Sequence, residues 1–330
     1  MKKYILAGDI GGTKTRLSLY AENTGPQSPL MEETFSSKAF GSLEEIVIKY
    51  LGNKNINILS ASFGIAGPVK DGRVEATNLP WVITEDSLRS TVDNAPVFLL
   101  NDLFASANAL PHLNPEDIHT INKGIPQGEG ALGLVSPGTG LGEAFLTWNG
   151  EDYQAHPSEG GHCSFAPTNL DQVNLLNHLI PKFDHISFER VCSGNGIPGL
   201  YAYIKESNQA AEPEWLRKEL ETASDPNPII FRAAREEKEA IAQKTLALFI
   251  EILANEAANL ALKVMATGGV YLGGGIPPRL IGLIEPDKFM MAFINKGRFD
   301  ALLKNIPVHI ITKPNSALFG AACYVFDAIK

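Results

Sequence analysis

Tyr4-Ile5-Leu6-Ala7-Gly8-Asp9-Ile10-Gly11-Gly12-Thr13-Lys14-Thr15-Arg16-Leu17-Ser18-Leu19-Tyr20 reads as a strand, a glycine-rich turn and a second strand. The same unit recurs further on. Leu132-Gly133-Leu134-Val135 leads into Pro137-Gly138-Thr139-Gly140-Leu141-Gly142, and Ala144-Phe145-Leu146-Thr147-Trp148 follows. Glycines at such turns free the backbone, so that successive N–H groups can converge on an anion with no side chain in the way. Two such turns predict a phosphate-handling cleft between two related half-molecules.

Two common phosphate motifs come close and fail. Gly8 to Thr15 has the Lys14-Thr15 end of a P-loop, but Thr13 stands where its last glycine belongs, and a strand follows where a helix should begin. From Gly138 the spacing approaches a dinucleotide fingerprint, but Glu143 occupies the third glycine position. Asn149-Gly150 then predicts a type I′ hairpin turn.

At 330 residues the chain is long enough for two domains, and its 44% apolar content is ample for packed cores. A net charge of −9 without a basic cluster argues against nucleic acid or an anionic membrane as partner. Lys2-Lys3 precedes an apolar run too short for a signal-peptide core, and the expectation is a cytoplasmic protein with a small-molecule ligand. Cys163, Cys192 and Cys323 are far apart and form no CxxC pair, which predicts reduced packing residues rather than disulfides or a thiolate metal site.

Strands are expected near Tyr4–Ala7, Arg16–Tyr20, Ile58–Ile65 and Val97–Leu100, and a helix from an N-cap at Ser42 to Leu51. A helix follows Asn101 as far as Leu110, and the segment from Ile229 to Ala266 reads as one or two core helices. The proline-flanked stretch between Asn208 and Asn227 reads as a surface excursion. Gly268 to Ile276 encloses a short strand, and a last helix spans Ala317 to Ile329.

Residues with chemical potential stand where strands end. Asn101-Asp102 closes an apolar strand ahead of a helix, so Asp102 is either an N-cap or a carboxylate able to take a proton from a hydroxyl. Ser158-Glu159-Gly160-Gly161-His162 sets an acceptor and an imidazole about two glycines, a spacing suited to gripping adjacent hydroxyls. A zinc site there would need ligands that the sequence does not supply. Glu189-Arg190, ahead of Ser193-Gly194-Asn195-Gly196, is compatible with a surface ion pair.

These segments, in this order, resemble the bacterial glucokinase family of the actin-like sugar kinases. The resemblance runs through GDIGGTKTRL from Gly8, GPVKDGRVEATNLPW from Gly67, LNDLFA from Leu100, GTGLG from Gly138, SEGGHCSFAP from Ser158, SFERVCSGNG from Ser187 and GGGIPPR from Gly273. It implies a two-lobed α/β fold of the actin-like ATPase (ribonuclease H-like) kind with the active site in the interdomain cleft. The small domain would be residues 1–103 with 314–330, and the large one 104–313.

The resemblance also implies ATP-dependent phosphorylation of glucose at its 6-hydroxyl. Gly8, Asp9, Gly11, Gly12 and Thr13 would meet the γ-phosphate end of Mg·ATP, with Asp9 holding Mg²⁺ directly or through water. Gly138, Thr139 and Gly140 would cradle the other phosphates, and Gly273, Gly274 and Gly275 would lie against the adenosine. Asp102 would be the base. Asn78, Asn101, Glu159, His162 and Glu189 would join it in binding the sugar, while Trp81 would serve packing, and the subunits would pair as a homodimer. Lys14 departs from the asparagine of some family members and reads as a solvated turn residue. No cysteine cluster follows His162, which sets the chain apart from the zinc-containing family of repressors, open-reading-frame proteins and kinases. A kinase for another hexose and a non-catalytic sugar sensor on the same fold are the alternatives.

Overall fold

Alternation along β1 (Lys3–Ile10) sends Leu6 and Ile10 to one face of a sheet and Ile5 and Ala7 to the other, and apolar layers cover both faces. That double burial is why the strand reads as a continuous apolar run. The computed structural model describes residues 2–52 and 56–329. The chain divides into a first unit, Met1–Asp117 with Asp152–Pro157 and Lys313–Lys330, and a second, Ile118–Glu151 with Ser158–Thr312.

In the first unit β2 (Lys14–Ala21) returns antiparallel to β1, with Asp9 opposite Arg16. β3 (Met31–Ser36) adds an edge strand that sequence reading missed, because exposed Glu32, Glu33 and Thr34 conceal the strand pattern. Such charges are common on sheet edges, where they discourage pairing with other chains. β4 (Asn57–Ile65) lies parallel to β1, β5 (Arg73–Glu75) and β6 (Val82–Thr84) form a separate ribbon, and β7 (Val97–Asn101) lies parallel to β4. The sheet order is β3-β2-β1-β4-β7.

Helix Leu43–Leu51 begins at Ser42, whose hydroxyl accepts Glu45 N–H at 3.4 Å, and it buries Leu43, Ile46, Val47 and Tyr50 on the Leu6 face. The C-terminal helix Ser316–Ala328 covers the Ile5 face, and Ser62 Oγ donates to Ala321 O at 2.6 Å. Helix Asp102–Asn108 packs against the C-terminal helix through Ala105. The first unit therefore runs on to Asp117, rather than ending at residue 103.

The second unit repeats the plan. β8 (Ile118–Asn122), β9 (Leu132–Pro137) and β10 (Leu141–Trp148) join strands Gly269–Leu272 and Val308–Ile311. β10 is antiparallel to β9, the next two strands run parallel, and β8 closes that edge antiparallel. The β10-β9-Gly269–Leu272-Val308–Ile311 run thus matches β2-β1-β4-β7. The predicted type I′ turn does not form: Gly150 alone has a positive φ (106°), and Asn149 Oδ1 accepts Glu151 N–H at 2.8 Å.

The Ile229–Ala266 segment is two helices, Asn227–Arg235 and Ala240–Val264. The second is long and apolar enough to cross a membrane, yet it runs through the core with Phe249, Ile252, Leu253 and Ala257 fully buried. The stretch read as a surface excursion is exposed or half-buried except at Leu216, and it contains helix Glu214–Thr222. Pro213 is its N-cap, Leu216 is its buried anchor, and the Arg217–Glu221 and Lys218–Glu214 pairs bridge its turns.

Candidate active site

In the first unit the turn after β1 is tied down from below. Gly11 N–H donates to Lys14 O at 2.9 Å. Buried Ser37 donates its hydroxyl to Gly11 O at 2.7 Å and its N–H to Thr13 O at 3.0 Å. The N–H groups of Gly12 and Thr13 have no acceptor among the described residues, as an anion cradle requires. A Cβ on Gly12 would stand 2.5 Å from that of Asn78, so only glycine lets this turn meet the Asn78 loop. That loop is fixed by Thr77 Oγ1 donating to Ala66 O and by Ala76 N–H donating to Trp81 O, each at 3.0 Å. Trp81 is buried in the core, a packing residue.

Asp9 pairs with Arg16 at 3.0 Å, directly across the hairpin. Burial raises its carboxyl above the usual range, and the guanidinium pulls it part of the way back. Lys14 is exposed and its ammonium has no partner among the described residues.

Asn101, not Asp102, caps helix Asp102–Asn108. Its Oδ1 accepts Leu103 N–H at 3.0 Å and Phe104 N–H at 3.3 Å, while its Nδ2 donates to Gly67 O at 3.1 Å. Asp102 Oδ1 accepts Leu103 N–H at 2.9 Å, and its second oxygen has no partner among the described residues. Burial raises the Asp102 carboxyl; the Leu103 N–H opposes the rise, and nearby Asp9 adds to it. A desolvated carboxyl with one free oxygen is suited to general-base work.

In the second unit the turn Gly138–Gly140 is closed by Gly138 N–H donating to Gly140 O at 2.9 Å, and it is held by Gly194 N–H on Gly138 O and Asn195 N–H on Thr139 O. The N–H groups of Thr139 and Gly140 have no acceptor among the described residues. Gly273–Gly275 pack onto the strand that feeds this turn: Gly273 N–H donates to Val135 O at 2.9 Å, and Ile276 N–H to Pro137 O at 3.3 Å.

Glu189 links the turn to the SEGGH segment. Its Oε2 accepts Leu141 N–H at 2.9 Å, and its Oε1 lies 3.8 Å from His162 Nε2. Glu159 Oε2 stands 3.7 Å from His162 Nδ1. The three proposed hexose residues of this unit thus meet around one imidazole. Arg190 turns away and lies over the Phe183 ring at 4.4 Å, so Glu189 and Arg190 form no ion pair. Cys192 and Cys323 are buried, whereas Cys163 is exposed and is not the packing residue that its sequence context predicted.

Sequence reading missed Ser37 and Arg16, both partners across the fold or hairpin, and Glu143, discussed below. The register of a β1–β2 hairpin would have found Arg16; nothing local marks Ser37. A cavity of about 550 Å³ in the second unit, lined among others by Lys244, Glu251 and Met291, contains none of these residues. Among the described residues no cluster of three or more His, Cys, Asp or Glu could hold a metal ion by itself. Mg²⁺ that arrives with nucleotide phosphates needs only one or two carboxylates, and the placement of Asp9 beside unpaired turn N–H groups fits that need.

A model of the glucokinase family matches residues 6–328. The glucokinase of Nostoc punctiforme is 40% identical over 96% of this chain and 97% of its own. The crystal structure of a glucokinase from an Antarctic psychrotroph superposes with a TM-score of 0.87 at 30% identity, covering 98% of this chain and 99% of that one. A ROK-family glucokinase from Streptomyces griseus, solved with glucose and AMPPNP, shares the fold at a TM-score of 0.62 and 19% identity, covering 97% and 98%. The fold is that of the actin-like ATPase sugar kinases, in agreement with the duplicated strand plan. Within that class, the chain belongs to the glucokinase family.

Proposed function

We infer that the protein transfers the γ-phosphoryl group of ATP to the 6-hydroxyl of glucose, with Asp102 as general base. The observation that carries this reading is the Asp102 carboxyl itself: Asn101 does the capping, so one Asp102 oxygen is left without a partner beside Asp9. Asp102 would accept the hydroxyl proton as the O6–P bond forms and the bond to the β-phosphate oxygen breaks, with ADP leaving. Phosphoryl transfer asks chiefly for positioning and charge neutralisation, and Mg²⁺ on the nucleotide would supply part of the latter.

The first unit would contribute the base, the Asp9 carboxylate, Asn78, Asn101 and the Gly8–Thr13 turn. The second would contribute Glu159, His162 and Glu189 for the sugar hydroxyls, Gly138–Gly140 for phosphates and Gly273–Gly275 for the adenosine. Cytoplasmic residence and a homodimer belong to the same reading and rest on the family resemblance. The test is ADP release with ATP, Mg²⁺ and a panel of hexoses, run beside Asp102→Ala. Turnover with glucose that drops about 10²-fold or more in the variant supports the assignment. Sugar binding without turnover would make the protein a sensor, and a stronger response to another hexose would change the substrate.

A further inference from the structure

Directly under the SEGGH segment lies a carboxyl that the proposed reaction does not use. Glu143, on β10, is 1% exposed, and a Cβ on Gly160 would come within 1.9 Å of its Oε2, so the carboxyl fills the space that the glycine leaves. Neither Glu143 oxygen meets a donor among the described residues. What faces it is the fully buried carboxyl of Glu256, from helix Ala240–Val264.

The surroundings decide how this pair is charged. Lys263 Nζ stands 3.6 Å from Glu256 Oε1, and Asn259 Nδ2 donates to Glu256 Oε2 at 2.8 Å. Lys296 Nζ donates to Asn255 Oδ1 at 3.2 Å and to Asn259 Oδ1 at 2.7 Å, and the buried Cys192 thiol completes the group. Two buried carboxylates in contact repel strongly, whereas one shared proton turns the contact into an O–H···O hydrogen bond. Burial raises the Glu256 carboxyl as well, but there the Asn259 amide and the Lys263 ammonium oppose the rise, so Glu256 keeps the charge and Glu143 keeps the proton. Consistent with this, burial and the Glu256 charge push the Glu143 carboxyl up to about 8.

We propose that Glu143 is a positioning residue for the sugar grip: its protonated carboxyl, hydrogen-bonded to Glu256, supports Gly160 and thereby sets Glu159 and His162 for the hexose. The inference rests on the functional reading above. Loss of the proton puts two negative charges under the segment and displaces it.

The experiment is glucose binding by calorimetry across pH, with thermal unfolding measured in parallel. In the native protein the glucose Kd should rise about tenfold between about pH 7 and 9, as ionisation of a group near 8 requires. Glu143→Gln, neutral at every pH and still able to donate, should show a flat Kd, with kcat changing less than affinity. Glu256→Gln removes the charge that helps hold the proton on Glu143, so its rise should move to lower pH. Relative to Glu143→Gln, native Tm should fall as pH rises from the ordinary carboxyl range to about 8 and level off above it. A native-like alkaline rise in Glu143→Gln, or a flat native profile, overturns the proposal. A native protein that binds no hexose at any pH overturns the functional reading and the grip with it, and the Tm comparison still shows whether the pair holds a proton.

Discussion

The two strand-turn-strand units solve one problem of charge in different ways. In the first, the half-buried carboxylate Asp9 stands across the hairpin from Arg16, and a fixed cation balances it. In the second, Glu143 stands across from Val135, and its carboxyl finds another carboxyl instead. The backbones repeat, but the charges do not. An arginine stays charged at all working pH values, whereas a shared proton is lost when the solution turns alkaline. The first turn is therefore built to be indifferent to mild alkali, and the second is built to respond to it.

The largest effect expected on this contrast comes from Asp102. Asp102→Asn should lower kcat by about 10² to 10⁴ while leaving glucose affinity nearly native, because base assistance acts on the chemical step. The raised Asp102 carboxyl also fixes a sign. Native kcat should fall as pH drops through that raised value. Stability should run the other way: a folded-state pKa above the unfolded one adds stability at low pH that is lost as pH rises through it. Asp102→Asn should therefore be more heat-stable than the native protein at neutral pH, and a lower Tm would sink the claim that burial dominates there.

Next in size are the residues of the second unit proposed to hold the sugar. Glu189→Ala removes both the acceptor for Leu141 N–H and the carboxylate beside His162, and glucose affinity should weaken by about 10- to 100-fold, the worth of a charged hydrogen bond. Glu159→Gln should weaken it less, since Glu159 holds no backbone group, yet more than Asp102→Asn does. Equal losses in all three, measured by calorimetry, would erase the division between grip and chemistry.

Ser37→Ala tests the support of the first turn. It removes the hydroxyl donor to Gly11 O and should cost about 1–3 kcal/mol in urea unfolding, with KM for ATP rising and KM for glucose unchanged. Smallest of all, Cys163→Ser should stay within about 0.5 kcal/mol of native because the thiol is exposed. Cys192→Ser, which buries a hydroxyl near two carboxyls, should cost about 1–3 kcal/mol. A reversal between these two cysteines would show that their burial is misassigned.

Much of the architecture was legible because it depends on short-range patterns. β1, β2, β4 and β7 announce themselves as apolar runs, helix Leu43–Leu51 carries its own serine cap, and the glycine turns need no distant partner to be recognised. Edge strand β3 escaped notice because it buries only Phe35, and helix Glu214–Thr222 because it is short and follows Pro213, although Trp215, Leu216 and Leu220 all pack on the core. Asn149-Gly150 misled for the opposite reason. The dipeptide favours a tight turn in isolation, but the ends of the flanking strands set a longer one.

The site divides along the same line. Sequence by itself nominated the residues suited to the proposed chemistry: Asp102, Glu159, His162 and the three glycine clusters by type and spacing, and Asp9 and Glu189 by family resemblance. Tertiary structure decided what each is free to do. Asn101 took the capping role that would have occupied Asp102, Ser37 reached across from another element to hold Gly11, and Glu143 met Glu256 from a helix more than a hundred residues later. A residue's chemistry travels with its side chain, but its solvation, its partners and its protonation depend on groups that only folding brings near.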